Sequence, residues 1–410
     1  MKPWIVKVIR FLLGSGAIQA INMLSAIILL RILSIQDFAI YTFALSTILM
    51  ASLFSNMGIS QAVITIGALH SKNAGFLGEL DLAARGISKF MELFVLLILF
   101  ILYLTEYIGV GNKSFSLTLL LIIIGSSWIM SRVTLQQAIL NIQHDDSSII
   151  LSGFLGAISR LLSVWICFYI PSVEIALVGN LIGLIVVYQI QRNRVARYVL
   201  PGKKLNSEIS RLLLNFIKPL FLSVIYFAFQ NQLSIFIFSF QNQLSFVAEL
   251  GALGKIMQLV GWVGIINPYL IHPIFARISD RKIFLKRLFL VAVLIFLFSL
   301  GLVASSVEYS DLWLSILGDN YSSLKNELPI AVFGSAISLS GGILYTIVIS
   351  RNYTSYQYLT IVFGIAAQFI FILTVGVHTV VDAVYLNIFP AACYMAIQIL
   401  ILLYIIKKLK

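Results

Sequence analysis

Long apolar stretches alternate with short polar connectors along the whole chain. About twelve of these stretches reach the roughly 20 residues that a helix needs to cross a hydrocarbon layer of about 30 Å. Segments of them, such as residues 93–100, are apolar at every position, whereas the strands of a membrane barrel alternate apolar and polar side chains. The pattern predicts an all-α integral membrane protein. The predicted spans are residues 11–33, 38–57, 90–110, 115–138, 148–170, 175–190, 216–238, 246–270, 287–305, 329–349, 357–377 and 382–406.

Composition supports the membrane class and locates the positive charge. The 410 residues are 60% hydrophobic and 11% charged, with a mean hydropathy of +1.01, which is more apolar surface than a soluble core could bury. The net charge of +12 comes from Lys and Arg residues that fall mostly in alternate connectors, on the side that also holds both termini. This positive-inside pattern predicts cytoplasmic N- and C-termini. It also makes the membrane, and no nucleic acid, the expected partner of the positive charge.

The most basic connector divides the predicted spans into two sets of six. It covers residues 191–215, so the predicted domains are an N-terminal six-helix bundle at 1–190, this basic cytoplasmic linker, and a C-terminal six-helix bundle at 216–410. Many transporters consist of two such halves and hold their substrate near the midplane between them. We therefore expect two six-helix bundles around a central cleft. We also expect a short interfacial helix in the outer connector 306–328, and an interruption of the tenth span at Gly341-Gly342.

Two basic residues lie deep inside predicted spans, one in each half. Arg160 lies about 18 Å from the inner edge of the fifth span, and Lys255 about 14 Å from the outer edge of the eighth. An ionisable residue in a span costs at least about 2.5 kcal/mol, so each calls for a reason. Small residues at helical spacing flank both, which lets a neighbouring helix or a cavity approach. Midplane cations suit an anionic ligand such as a diphosphate or an acidic sugar. The alternative for each is a buried ion pair or a side chain that extends to the interface.

Other polar side chains are candidates for lining the same cleft. Arg132 in the fourth span either lines an inner vestibule or extends to the lipid headgroups. Gln19 and Asn22 share one face of the first span, and Tyr226 shares a face of the seventh with an amide. Such groups either bind sugar hydroxyls or hold helices together. The predicted substrate-binding residues are Arg160, Lys255, Arg132, Gln19, Asn22, Gln230, Asn231 and Tyr226.

The sequence offers little for enzymatic chemistry. The four histidines are scattered over connectors and span ends without an HExxH motif, and there is no GxxxxGK(S/T) loop to hold ATP. The two cysteines lie inside apolar segments, where they are small packing residues. The sequence therefore predicts no enzyme, no metal and no cofactor. Transport would be secondary, and the residues leave the identity of a coupling ion open.

Three stretches resemble bacterial polysaccharide flippases. Residues 31–41 and 56–62 are similar to the first two spans of that family, in which an Arg-Leu-Leu turn, a Phe-Gly-x-Tyr entry and a closing Gly-Leu pair recur. Residues 250–255 resemble the family's Tyr-x-x-Ala-x-Lys pattern in the eighth span, with Lys255 as the matching residue. The differences in the first two spans are Ile32 for Leu, Ala39 for Gly and Ile59 for Leu.

This resemblance implies membership of the multidrug/oligosaccharidyl-lipid/polysaccharide exporter superfamily. The implied function is a flippase that moves polyprenyl-diphosphate-linked oligosaccharide across the bacterial inner membrane by alternating access, for O-antigen or a related surface polysaccharide. The implied partners are the lipid-linked substrate, the bilayer, a glycan polymerase and a chain-length regulator. Some relatives carry an acid in the seventh span, where this chain has Gln230 and Asn231. We therefore do not expect that helix to couple transport to an ion.

Two other functions fit a chain of this span count. A membrane glycan polymerase or ligase would act on the same lipid-linked sugar, but it needs reactive groups on the outer face, and the longest outer connector has no Arg or His. A multidrug exporter of the same superfamily would favour acidic residues over Arg160 and Lys255 in its cleft.

Overall fold

The computed structural model describes most of the chain, chiefly as helix. The described residues are 3–104, 109–110, 113–114, 116–200, 206–218, 221–230, 232–265, 271–276, 278, 280–351, 353 and 355–408. The chain divides into two compact units, Met1–Ala248 and Glu249–Lys410. This division falls elsewhere than the predicted domain boundaries, which stay a prediction.

The first unit is built from helices and one short strand pair. Its helices in the described residues are α1 (Pro3–Ile32), α2 (Ile35–Asn56), α3 (Ile59–Ala68), α4 (Ala74–Leu104), α5 (Leu117–Ile142), α6 (Asp146–Val164), α7 (Val173–Val195), α8 (Ser207–Ile217), α9 (Phe221–Gln230) and α10 (Leu233–Phe240). A 3-10 turn, Trp165–Phe168, extends α6. After α4, the strands β1 (Gly109–Val110) and β2 (Lys113–Ser114) pair in antiparallel fashion.

Helix α11 (Leu244–Trp262) leads into the second unit and continues as a 3-10 turn at Val263–Ile265. The helices that follow in the described residues are α12 (His272–Ala276), α13 (Arg281–Glu308), α14 (Ser310–Leu317), α15 (Glu327–Ile349), α16 (Tyr358–Thr374) and α17 (Val380–Lys408). Two 3-10 segments, Asp319–Lys325 and Ser355–Gln357, lie between them. Helix α14 confirms the helix predicted in the outer connector.

The predicted all-α membrane class is confirmed. Nine helices of the described chain are long and apolar enough to cross a membrane, namely α1, α2, α5, α6 with its 3-10 extension, α7, α11, α13, α15 and α17. Helices α8 and α9 are inclined by 55° and would together make a tenth. The other predicted spans fall on α4, on α8 to α10 and on α16. The protein is therefore a multi-pass membrane protein.

The structure corrects the predicted spans at four places. Residues 59–68 form helix α3, and α4 begins at Ala74, in a stretch that was expected to be a connector. The third span was expected to run to residue 110, but α4 ends at Leu104 and 109–110 form β1. The seventh span was expected to be one helix, whereas α9 ends at Gln230 and α10 begins at Leu233. Helix α15 is continuous through Gly341. A Cβ at that glycine would lie 2.8 Å from the Tyr394 ring, so it serves close packing on α17.

Eight helices of the described chain begin at residues whose side chains cap them. In each case a side-chain oxygen accepts a hydrogen bond from a backbone N–H of the first turn, which satisfies a donor that has no partner within the helix. The capping residues are Ser34, Asn73, Ser116, Asp145, Ser172, Asn206, Asp280 and Thr379.

A tight turn joins α2 to α3 within the stretch that resembles the flippase family. Met57 and Gly58 both have left-handed backbone conformations, with φ of 42° and 79°. The Asn56 side chain donates from Nδ2 to the Ser60 hydroxyl at 2.8 Å and accepts from the Ser60 N–H at 3.0 Å. Gly58 adopts the left-handed region without steric cost. The Asn56 side chain accepts a hydrogen bond from the Ser60 N–H in the first turn of α3, and these features stabilise the turn.

The basic segment after α7 is attached to the first unit at several points. The Tyr198 hydroxyl donates to Asp145 at 3.0 Å, the Leu200 N–H donates to the Ala74 carbonyl at 3.0 Å, and the Asn206 side chain donates to Glu79 at 3.0 Å. Helix α8 then packs on α3 and α4 through one apolar face. The buried residues of that face are Ile209, Leu213 and Ile217. The predicted linker is therefore in part a docked structural element.

Corresponding helices pack in the same order inside each unit. In the first unit α7 packs against α5 and α6, and in the second unit α17 packs against α15 and α16. The short helices α3 and α12 each pack against the long helix α5 or α15 of their own unit. Each of these long helices is tied to the chain that follows its short helix. Gln143 donates to the Ser71 carbonyl in the first unit, and Arg351 donates to the Ile278 carbonyl in the second.

Candidate functional site

Arg160 lies in the second half of α6 with one neutral partner. Its Nη2 donates to the hydroxyl of Tyr41 on α2 at 2.8 Å, and Tyr41 is completely buried. The Nε of Arg160 is also buried and has no hydrogen-bond partner among the described residues. No carboxylate of the described chain lies within 4 Å of the guanidinium. Its positive charge is therefore held in an apolar span without a described counter-ion.

The crossing of α6 and α7 fixes the base of the Arg160 side chain. A Cβ at Gly183 of α7 would lie 2.8 Å from the Gly156 carbonyl oxygen and 3.2 Å from the Arg160 Cβ. A Cβ at Gly156 would clash with the Val187 side chain. Only glycines permit this approach of two helix backbones. The small residues around Arg160 thus bring in a neighbouring helix, which is one of the two expected outcomes.

Arg132 on α5 forms a buried ion pair with Glu92 on α4. Its Nη2 lies 2.7 Å from the Glu92 Oε2, and the two side chains are 11% and 6% exposed. Nη1 also donates to the Arg85 carbonyl at 3.4 Å, and the guanidinium lies over the Trp128 ring at 5.9 Å. The charge of Arg132 is therefore neutralised inside the first unit. The ion pair gives Arg132 a structural role, and its role in lining a cleft stays a prediction.

A network of polar side chains extends the ion pair along α4. The Ser88 hydroxyl donates to the Glu92 Oε1 at 3.0 Å and lies 3.1 Å from the Ser131 hydroxyl. One helical turn before Ser88, Arg85 donates to Asp81 at 3.0 Å. Positions 81, 85, 88 and 92 share one face of a helix, because residues three and four apart are neighbours. The sequence analysis missed this network because it placed residues 81, 85 and 88 in a connector. The helical spacing of these positions is the signal that could have revealed it.

The amides of the first span lie on α1, the helix that packs against α6. Helices α1 and α6 pack where a Cβ at Gly153 would lie 2.9 Å from Ile18, next to Gln19. Gln19 and Asn22 are both half-buried, and neither side chain has a hydrogen-bond partner among the described residues. They belong to the same unit as Arg160, but neither donates to or accepts from its guanidinium.

The polar residues of the seventh span lie on a broken segment that packs against α2. Tyr226 is buried on α9 and contacts the Phe227 ring at 5.2 Å. Gln230 is half-buried and ends α9. Phe229 of α9 and Phe236 of α10 contact α2 at Phe54 and Phe43, with ring centroids 5.7 and 5.2 Å apart. Asn231, which was also predicted to bind substrate, lies outside the described residues.

Lys255 is half-buried on α11 in the second unit. It follows the buried residues Ala252 and Leu253, and it takes part in at least one polar or electrostatic interaction. The structure therefore brings Arg160, Arg132, Gln19, Asn22, Tyr226 and Gln230 into the first unit and Lys255 into the second.

Comparison with known proteins identifies the fold. No protein-family model matches the sequence, and no curated protein matches it. Among solved structures, the chain is similar to an inward-facing multidrug resistance MATE family transporter of the MOP superfamily, with a TM-score of 0.70 and 14% identity over 95% of each chain. It is similar to the lipid II flippase MurJ, in an inward closed conformation, with a TM-score of 0.69 and 13% identity over 97% of this chain and 87% of that one.

A further similar structure is a MATE protein in complex with MaL6, with a TM-score of 0.66 and 13% identity over 98% of this chain and 95% of that one. The chain has the fold of these transporters. At such low sequence identity the similarity establishes the fold but does not identify the substrate. One of these similar structures is itself assigned to the MOP superfamily, the superfamily that the sequence resemblance implies. For this chain the superfamily and the O-antigen subtype stay predictions.

Proposed function

We propose that this protein is a flippase that translocates polyprenyl-diphosphate-linked oligosaccharide units outward across the bacterial inner membrane, for O-antigen or a related surface polysaccharide. The fold of a lipid II flippase and of multidrug exporters supports movement of an amphipathic molecule across a bilayer. The matching order of helix contacts in the two units supports alternating access, since repeated halves rock around a midplane site in many transporters.

The environment of Arg160 is the observation that favours an anionic substrate. A guanidinium has five N–H donors and stays charged in proteins. Among the described residues one neutral acceptor, Tyr41, contacts it. A diphosphate would supply both the missing acceptors and the missing negative charge, since guanidinium binds phosphate through paired, charge-assisted hydrogen bonds. Gln19 and Asn22 on the neighbouring α1 are proposed to bind sugar hydroxyls, and Lys255 to provide a second cation.

Export of cationic drugs is the second candidate. Two of the similar structures are MATE proteins, one of them a multidrug resistance transporter, so the fold supports this function equally well. A cationic drug would be repelled by an uncompensated guanidinium, which is why Arg160 favours the flippase. The similar structures are transporters, which favours transport over the glycan polymerase and ligase alternatives.

Reconstitution into proteoliposomes tests the proposal. A fluorescent polyprenyl-diphosphate oligosaccharide is placed in the outer leaflet, and its protection from a membrane-impermeant quencher is measured; ethidium uptake is measured in parallel. We expect the protein to move the lipid-linked sugar. Arg160→Gln should lower that rate about tenfold or more, because it removes the charge and most donors. Arg197→Gln, a change at an exposed arginine after α7, is the matched control and should have no effect.

The two candidate functions give opposite results in this assay. Movement of ethidium without movement of the lipid-linked sugar would overturn the flippase proposal in favour of drug export. In cells, the flippase should have a glycan polymerase and a chain-length regulator as partners, and deletion of its gene should leave single lipid-linked units on the cytoplasmic leaflet.

A further inference from the structure

A cavity of about 300 Å³ lies between α11 and α15 in the second unit. Met257 and Gly261 of α11 line one wall at a spacing of one helical turn, and Gly264 of the following 3-10 turn continues it. The opposite wall is one face of α15. The residues of that face are Ser335, Ser338, Leu339 and Gly342. None of the described residues that line this cavity is charged, and none of them is a predicted substrate-binding residue.

The glycines of the chain differ in what a side chain would meet. At Gly156 and Gly183 a Cβ would approach a neighbouring atom to within 3 Å, so these glycines serve close packing. At Gly261 a Cβ would meet nothing within 4 Å, and at Gly264 the nearest atom is a Leu339 methyl at 3.7 Å. The glycines on α11 and after it therefore border open space. The pair at 341–342 combines both roles, since Gly341 packs on Tyr394 and Gly342 faces the cavity.

The polar groups of the cavity wall leave its interior apolar. The Ser335 hydroxyl donates to the Met257 sulfur at 2.6 Å, which occupies both groups with each other. The Ser338 hydroxyl is the other polar side-chain group of the wall, at an exposed position. The remaining lining residues are Leu339, Met257 and glycines, and methionine adapts its shape to irregular apolar ligands. A charged headgroup or a drug cation would find no counter-charge among these residues. A neutral hydrocarbon is the chemistry that fits.

We propose that this cavity binds a segment of about two isoprene units from the isoprenoid chain of the lipid-linked substrate, an inference that rests on the proposed function. An apolar protein cavity of about 150 Å³ holds one benzene molecule, so about 300 Å³ holds roughly ten to twelve carbon atoms. An isoprenoid carries a methyl branch on every unit, and the glycines at 261, 264 and 342 leave notches for such branches. A straight acyl chain leaves these notches empty and loses their contacts.

Photolabelling tests the inference with a defined probe. Purified full-length protein in lipid nanodiscs is irradiated with a benzophenone derivative of geraniol, and labelled peptides are identified by mass spectrometry. We expect label on the peptide that contains Met257, and about tenfold less label with a decanol derivative of equal carbon number. Gly261→Leu, which fills the cavity, should lower the geranyl label about tenfold. Gly301→Leu on α13 is the matched control, because a Cβ there also meets nothing within 4 Å.

A second variant guards against misfolding. Ser338→Leu fills the cavity from the other wall at an exposed position, and it should give the same loss as Gly261→Leu. Equal labelling of all variants, or equal labelling by the straight-chain probe, would overturn the proposal. Flipping in proteoliposomes separates the two proposals. If geranyl labels Met257 but the protein does not flip the lipid-linked sugar, the proposed function alone is contradicted. If the protein flips the sugar but Gly261→Leu and Ser338→Leu leave the geranyl label unchanged, the isoprenoid site alone is contradicted.

Discussion

Arg132 of α5 and Glu92 of α4 form a buried ion pair at 2.7 Å, with side chains 11% and 6% exposed. Removal of one partner leaves the other charge buried and uncompensated, which costs about 3–5 kcal/mol in proteins. We expect Arg132→Met or Glu92→Met to lower the melting temperature of the purified protein strongly, and the double variant to recover most of that loss. Thermal unfolding followed by size-exclusion chromatography measures it.

An exposed ion pair provides the control for that prediction. Lys325 and Asp311 lie 2.9 Å apart but are 57% and 82% exposed. Exposed pairs contribute little because solvent screens them, so Asp311→Ala should leave the melting temperature unchanged. A double variant as unstable as the single ones would indicate that Arg132 and Glu92 act separately.

The hydroxyl of Tyr41 is expected to support Arg160 rather than to bind substrate. Tyr41→Phe removes the one described acceptor of the guanidinium at a completely buried position. A buried donor without its partner costs about 1–3 kcal/mol, whereas the charge itself remains. We therefore expect a lower melting temperature with flipping largely retained, in contrast to Arg160→Gln. Loss of flipping at an unchanged melting temperature would assign Tyr41 to the binding site instead.

We expect the crossing of α6 and α7 to tolerate no residue larger than glycine at position 183. Gly183→Ala would bring a Cβ within 2.8 Å of the Gly156 carbonyl oxygen, so the two helices must separate. Overpacking of this kind costs about 1–3 kcal/mol. Thermal unfolding should report this loss, while Gly301→Ala, where a Cβ meets open space, should cause none. Equal stability of both variants would contradict the close approach of α6 and α7.

The docking of α8 is expected to depend on one face of that helix. Leu213 is completely buried against the cluster formed with α3, α4 and α5, whereas the adjacent Leu212 is 53% exposed. Leu213→Ala should cost about 2–5 kcal/mol, because it leaves a cavity in a packed core. Leu212→Ala should cost much less. Limited proteolysis between α7 and α8 measures the difference, and equal cleavage rates would argue against the docked arrangement.

Asp145 at the start of α6 gives a pH-dependent contribution to stability. Burial opposes its ionisation, but hydrogen bonds from Ser148, Ser147 and Tyr198 outweigh it and hold the pKa of Asp145 below its usual value of 3.8. Because the folded-state pKa is the lower one, this stabilisation is complete well above pH 3.8 and is lost as the pH falls through the folded-state pKa.

A pH titration of stability tests this cap. Asp145→Ala should lower the melting temperature at pH 7, and its difference from wild type should shrink as the pH falls below 3.8 through the folded-state pKa of Asp145. Tyr198→Phe removes one of the hydrogen bonds and should have a smaller effect of the same sign. A difference between wild type and Asp145→Ala that stays constant over this acidic range would show that the charge of Asp145 is not what stabilises the helix start.

Much of the architecture could be predicted from the sequence. Apolar length marks spans such as 117–142 and 173–195 without reference to any other part of the chain, because each helix satisfies its own backbone hydrogen bonds in lipid. The capping residues Ser34 and Ser172 mark helix starts for the same local reason. Arg160 stood out because a charge within an apolar run is costly wherever it lies.

The pairing of side chains could not be predicted in the same way. Arg132 and Glu92 are 40 positions apart, and nothing in the sequence near either residue names the other as its partner. Helix α3 was missed because ten residues are too few to span a bilayer, so its place depends on packing against α5. The break between α9 and α10 was missed because hydropathy does not report the path of the backbone.

The order of residues along the chain is enough to indicate the membrane environment of this protein, the positions of most spans, the expected side of its positive charge and the presence of a cation inside α6. The packing of the helices was needed to show that Arg132 is neutralised while Arg160 has a neutral partner, and that Gly183 lies in a close helix contact while Gly261 borders a cavity. This difference follows from the range of the interactions. Transfer into lipid is a property of each segment, whereas counter-ions and close contacts depend on which distant segments meet.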